Sequence, residues 1–245
     1  MAKTTGMGDN FYVGGFDLSG DTQSLSSIHG GSANQQDTTD ITQSAVSRLA
    51  LERDGGMAWT SYWDPTGASH TLLSGLPTAD NICTYFRGLA IGNPAASLNS
   101  KLIGYDPTRA DDGSITLAVQ AQANGFGLEW GVQLTAGLRT DGSATTGAAF
   151  DWGASSAFGA QAYFQLVAFT GTSVTIDIQS ATTSGGSYST TGLTTTAMTA
   201  VGAQRLATSN SATINEFTKV VTTGTFTNAV FAVMMVRNPI AGVVF

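Results

Sequence analysis

Residues 37–63, DTTDITQSAVSRLALERDGGMAWTSYW, contain both of the periods from which a fold can be read. In the first half Ile41, Ala45, Val46 and Leu49 fall at i, i+4, i+5 and i+8, which would give a helix one apolar face. Asp40 suits an N-cap and Gly55-Gly56 a stop, so the pattern predicts a short helix over about residues 40–51. The second half alternates, with Met57, Trp59, Ser61 and Trp63 on one side and Ala58, Thr60 and Tyr62 on the other. Only this second period recurs along the chain.

Outward from that stretch, strands are expected at 11–20, 82–86, 98–106, 114–122 and 125–137. Ile115, Leu117, Val119 and Ala121 share one face, as do Leu128, Trp130, Val132 and Leu134, which indicates sheets with one buried side. Further strands are expected at 162–169, 173–181, 216–222 and 226–236. The run FAVMMV (231–236) is apolar on both faces and reads as a central or covered strand. Residues 180–192, rich in Gly, Ser and Thr, read as a hairpin or loop. The fold class is therefore all-β with one short helix. Its expected parts are a flexible arm at 1–10, a β-sandwich or barrel domain at 11–138 with a long loop at 20–40, an aperiodic linker at 139–156, and a second β-sandwich at 157–245.

Composition supports this class and narrows the function. Charged residues are 11% of the 245, against roughly 25% in ordinary soluble domains. The net charge is −7 and the ten basic residues are scattered, with no basic patch visible in the sequence, which argues against a protein that grips nucleic acid. Cys83 is the single cysteine, which excludes an intrachain disulfide and a thiolate zinc site. No apolar run follows Lys3, and the longest such run, residues 229–236, falls short of the ~20 residues a membrane span needs. A non-secreted chain is expected.

Catalytic patterns are missing. His29 and His70 stand far apart in polar surroundings with no nucleophile motif beside either. Asp111-Asp112-Gly113 reads as a β-turn before a strand, and neither GGFDLSG nor NGFGLEWG leads into a helix that could complete a phosphate cradle. No enzyme, metal or cofactor is expected. The aromatic residues Trp59, Tyr62, Trp63, Tyr85 and Phe86 fit core and interface positions, with a sugar platform as the rival reading.

Residues 37–77, DTTDITQSAVSRLALERDGGMAWTSYWDPTGASHTLLSGLP, resemble a segment of the major tail proteins, the tail-tube subunits of long-tailed phages with non-contractile tails. The matching positions are Asp40 to Thr42, then Arg48, Leu51, Arg53, Asp54 and Gly55, then Trp59 to Asp64, with His70 to Leu73 behind them. Leu51-Glu52 stands where that family's turn often has Gly-Leu. Residues 85–135 resemble the closing strands of the same domain, and 171–192 with 224–238 resemble an added outer β-sandwich.

The resemblance implies a virion protein, assembled in the host cytoplasm, that stacks as hexameric rings into a tube for genome delivery. Its partners would be further copies of itself and other tail proteins, with DNA passing unbound and no membrane. It places Ser61, Thr116, Gln120, Gln122, Glu129 and Gln133 on the channel wall. Contacts between rings would come from the arm and the 20–40 loop, through Ser24, Leu25, Ile28, Asp37, Thr38 and Thr39. The alternatives are a carbohydrate-binding β-sandwich module and a capsid decoration protein.

Overall fold

The computed structural model describes residues 5–32 and 34–240. In chain order the first part contains β1 (Asn10–Val13), β2 (Phe16–Asp17), β3 (Thr22–Ser32), β4 (Gln35–Asp37), β5 (Arg48–Ala50) and β6 (Arg53–Tyr62). Then come α1 (Ala68–Leu73), β7 (Asn81–Phe86), β8 (Pro94–Leu102), β9 (Asp106–Arg109), β10 (Ile115–Ala123) and β11 (Glu129–Gln133). The second part contains β12 (Arg139–Asp141), β13 (Thr146–Asp151), β14 (Ala160–Ala181), β15 (Ser189–Thr194), β16 (Gly202–Ala207) and β17 (Phe217–Arg237). The chain is all-β with one short helix, as its composition and alternation predict. A continuous hydrogen-bonded path runs β15-β14-β17-β11-β8-β10-β6-β3, so one sheet crosses from the second part into the first.

The alternating stretches bury the faces they should. Met57, Trp59, Leu117, Val119 and Ala121 pack with Phe11, Val13, Leu18, Leu73 and Leu98 in the core of the first part. Val174, Ile176 and Ile178 lie in the second core with Phe164, Leu166, Phe231 and Val233. The doubly apolar run of β17 is central: β14 pairs along one side of this strand and β11, β12 and β13 along the other. Bulges between Leu166 and Ser173 interrupt the β14 ladder, and both halves of the strand contribute to one core.

Three expectations fail and a fourth is narrowed. The predicted helix over 40–51 does not form; those residues are a turn followed by β5, and the helix is α1, whose Ser69 amide donates to Asp21 Oδ2 at 3.0 Å. The predicted 20–40 loop is mostly strand, because β3 pairs with β6 along nine registered positions. The predicted linker holds β12 and β13, both paired with β17. Finally, the flexible arm at 1–10 is tied down at its end. Asp9 accepts from Arg87 Nη1 at 2.8 Å and Gly88 N at 3.0 Å, and β1 starts at Asn10. Residues 1–4, and residues 241–245 of the predicted second domain, lie outside the described residues.

The two parts share a third cluster. Tyr12, Ile82, Phe86 and Ala95 of the first meet Tyr163, Ala232, Met234 and Val236 of the second. Gln165 of β14 fixes the same junction. Its Nε2 donates to Ile82 O at 2.8 Å and Thr84 Oγ1 at 3.0 Å, while its Oε1 accepts from Gly15 N at 2.8 Å.

Candidate assembly surface

The hairpin of β3 and β6 does not end at the body of the protein. Beyond the Ser32–Arg53 pair, Leu51 N donates to Asn34 O at 3.1 Å, and β4 then pairs with β5 as Gln35–Ala50, Gln36–Leu49 and Asp37–Arg48. Thr38 N donates to Ser47 O at 2.9 Å, and Asp40 turns the chain by accepting from Thr42 N at 2.8 Å. The result is an arm reaching about 20 Å past the sheet, from the strand rise of ~3.3 Å per residue.

Almost nothing in this arm is buried. Every residue from Gln35 to Leu51 is exposed except the half-buried Ser47. Ile41, Val46, Leu49 and Leu51 are large apolar side chains with no core to enter. An isolated two-stranded ribbon is marginal in water, and apolar side chains grouped on one gain stability only when something covers them. Periodicity places Ile41, Val46 and Leu49 on the apolar face of a helix, so their position on an exposed ribbon is not legible from it. The cross-strand signal that could have found the arm is Asp37 facing Arg48 across a polar turn.

The predicted contact residues fall in two places. Asp37, Thr38 and Thr39 are exposed near the arm tip. Ser24, Leu25 and Ile28 lie at the other end of β3, lining a cleft of about 330 Å³ with Phe11 and Tyr85, and Leu25 and Ile28 pack partly on the first core. Strand β3 terminates the sheet path, leaving its outer edge open.

The predicted channel residues also divide. Thr116, Gln120 and Gln122 share the solvent side of β10, with Gln120 exposed and Gln122 donating to Asp54 Oδ1 at 2.7 Å. Ser61, Glu129 and Gln133 are buried within the subunit and cannot line a channel. Ser61 points inward because it follows Met57 and Trp59 on the core face of β6, where it accepts from Ser69 Oγ at 3.3 Å. Gln133 donates to the carbonyls of Arg87 and Gly88. Glu129 accepts from Arg205 Nη2 at 2.8 Å and from the Tyr163 hydroxyl. Burial followed by the Glu129 charge pushes the Tyr163 phenol well above its ordinary range, so it remains a donor. With Glu129 turned inward, Trp130 faces solvent at 53% exposure, against the expectation that it joins Leu128, Val132 and Leu134 on a buried face.

The histidines stay separate. His29 Nδ1 pairs with Ser27 Oγ at 2.9 Å and His70 Nδ1 with Tyr105 OH at 2.5 Å. Burial pushes the Cys83 thiol up to about 12, so it is neutral at physiological pH. Among the described residues no group of His, Cys, Asp and Glu is arranged to hold a metal, and no helix is long and apolar enough to cross a membrane.

No protein-family model and no curated protein matches this sequence. One solved structure found to be similar is the phage SPP1 Dit protein (gp 19.1), described as a paradigm of the hub adsorption apparatus in phages infecting Gram-positive bacteria. It is 9% identical, and the match covers 94% of this chain and 99% of that one at a TM-score of 0.34. A likeness of that size supports no inference about function.

Proposed function

We propose that this chain is a structural subunit of a long-tailed phage tail, without catalytic activity, that assembles with further copies of itself into stacked rings forming the tail tube. The observation that carries this reading is the arm. Its apolar side chains are covered only by another molecule, and an arm leaving one end of the subunit makes a contact with unlike sides. Contacts of that kind propagate into filaments when their rotation does not close. The sequence resemblance to tail-tube subunits supplies the setting, and a virion location follows from it.

In such a ring the solvent side of β6 and β10, with Ala58, Thr60, Thr116, Ala118 and Gln120, would face the channel. These side chains are small or uncharged, so they offer DNA no phosphate contacts that must break as it slides. The open edge of β3 would pair with a neighbour, since long uncovered edges join promiscuously.

Negative-stain electron microscopy across a concentration series tests the reading. Striated hollow tubes are expected from the native chain, and Ile41→Asp with Val46→Asp should abolish them while leaving the folded monomer intact. Closed single or paired rings would keep a ring-forming subunit and overturn the stacked tube. Monomers at every concentration, with no tubes when an initiating tail complex is added, would overturn it.

A further inference from the structure

We propose that residues Phe126–Glu129 form a clasp through which the second part of the molecule sets the direction of the arm. The inference deepens the assembly reading and rests on it for the arm's purpose, while its geometry stands independently.

On one side the clasp holds the arm's root. Gly30 and Gly55 pair across β3 and β6, and a Cβ built on either would lie 2.7 Å from Leu128 Cβ. Two bare backbones therefore form a saddle in which Leu128 sits, and no larger residue fits at either place without moving it. Gly127 is similarly close to the root, where an added Cβ would lie 3.1 Å from Arg53 Cβ. Gln122, just before the loop, holds Asp54 of the same root.

On the other side Phe126 and Glu129, the ends of the same loop, grip Arg205 of β16. The Arg205 guanidinium lies over the Phe126 ring at 3.6 Å from its centroid and donates from Nη2 to Glu129 at 2.8 Å. Arg205 Nε also donates to the Tyr163 hydroxyl on β14 at 3.0 Å. A cation fixed by a ring, a carboxylate and a phenol has little freedom, and the Arg205 and Glu129 side chains are nearly fully buried while the Phe126 ring covers the cation from the solvent side. Leu128 sits in the glycine saddle on a loop whose two ends, Phe126 and Glu129, are anchored to Arg205, so Arg205 and Phe126 are positioning residues for an arm they do not touch.

Hydrogen exchange on the full chain, at a concentration where it is monomeric, tests this. Phe126→Ala and Arg205→Lys should each speed exchange at His29–Ser32 and Arg53–Gly56 by about two- to tenfold, the range that loss of a partly exposed cation–π contact supports. Phe126→Tyr should restore the native rates. Lys219→Met, which removes a separate cation–π contact on Tyr188, should leave the root unchanged. Root rates unaltered by Phe126→Ala and Arg205→Lys would overturn the clasp. So would equal acceleration at Asn81–Phe86, because the change would then be general loosening. A responsive root in a chain that never polymerises would keep the clasp and defeat the assembly reading.

Discussion

Glu129 and Arg205 meet where their side chains are 1% and 8% exposed, so each charge depends on the other for the solvation that water would otherwise provide. Glu129→Ala leaves the guanidinium buried with only a phenol and a ring. We expect a loss of about 3–5 kcal/mol, seen as a lower urea midpoint at unchanged slope. Replacing both residues with Met should recover most of that loss, since an apolar pair of similar volume needs no desolvation. A single variant within about 0.5 kcal/mol of the native chain would show that the pair does not set stability here. The sequence around Glu129 could not disclose this role. Leu128, Trp130, Val132 and Leu134 present a clean apolar alternation, yet Trp130 in its middle faces solvent while Glu129 turns in, because the partner of Glu129 lies 76 residues downstream. Inward alternation was legible wherever the buried face is wholly apolar, as at Leu117, Val119 and Ala121, and failed where a buried ion pair occupies it.

The arm shows why local periodicity misleads at the level of an element. Ile41, Val46 and Leu49 match helical spacing, yet a lone amphipathic helix here would have nothing to pack on, and helices gain most of their stability from such packing. The hairpin instead extends a ladder that β3 and β6 have already begun. Strand β3 was hidden because its register slips between Thr22 and Ser24 and again between Leu25 and Ser27, which breaks the alternation of its inward residues. Order at the tip should depend on pH. The Thr42 hydroxyl, and then its amide, hold the Asp40 carboxyl below the usual range. A depressed value in the folded chain contributes order in full above the unfolded carboxylate range, near pH 4, and loses it as pH falls through the depressed value. Amide shifts of Thr42 and Gln43 should therefore move together on titration from about pH 6 to about pH 2, with the β17 amides unaffected at the start of that change. Asp40→Asn should remove the transition at the tip; its persistence would assign it to another group.

Across the whole molecule, the sequence divides into two β units while the structure ties them into one. Residues 139–156 looked like a linker because small residues and Gly conceal two short strands, and those strands pair only with a segment some 80 residues away. Strands β14 and β17 run through the second core and on to the junction, where Met234 and Val236 pack with Tyr12 and Phe86. Strand β17 also supplies the neighbour that β11 would otherwise lack on that side. A chain ending at residue 138 would expose the apolar side of that junction and leave Glu129 without Arg205. Cooperativity follows from this sharing: neither core can open without uncovering residues of the other. Calorimetry of the full chain should give one transition whose calorimetric and van't Hoff enthalpies agree, and residues 1–138 alone should show no cooperative transition. Two resolved transitions, or a truncated chain that melts sharply, would mean that the junction is a contact between independent domains. In that case the second part could not aim the arm, since a joint that opens separately transmits no fixed direction.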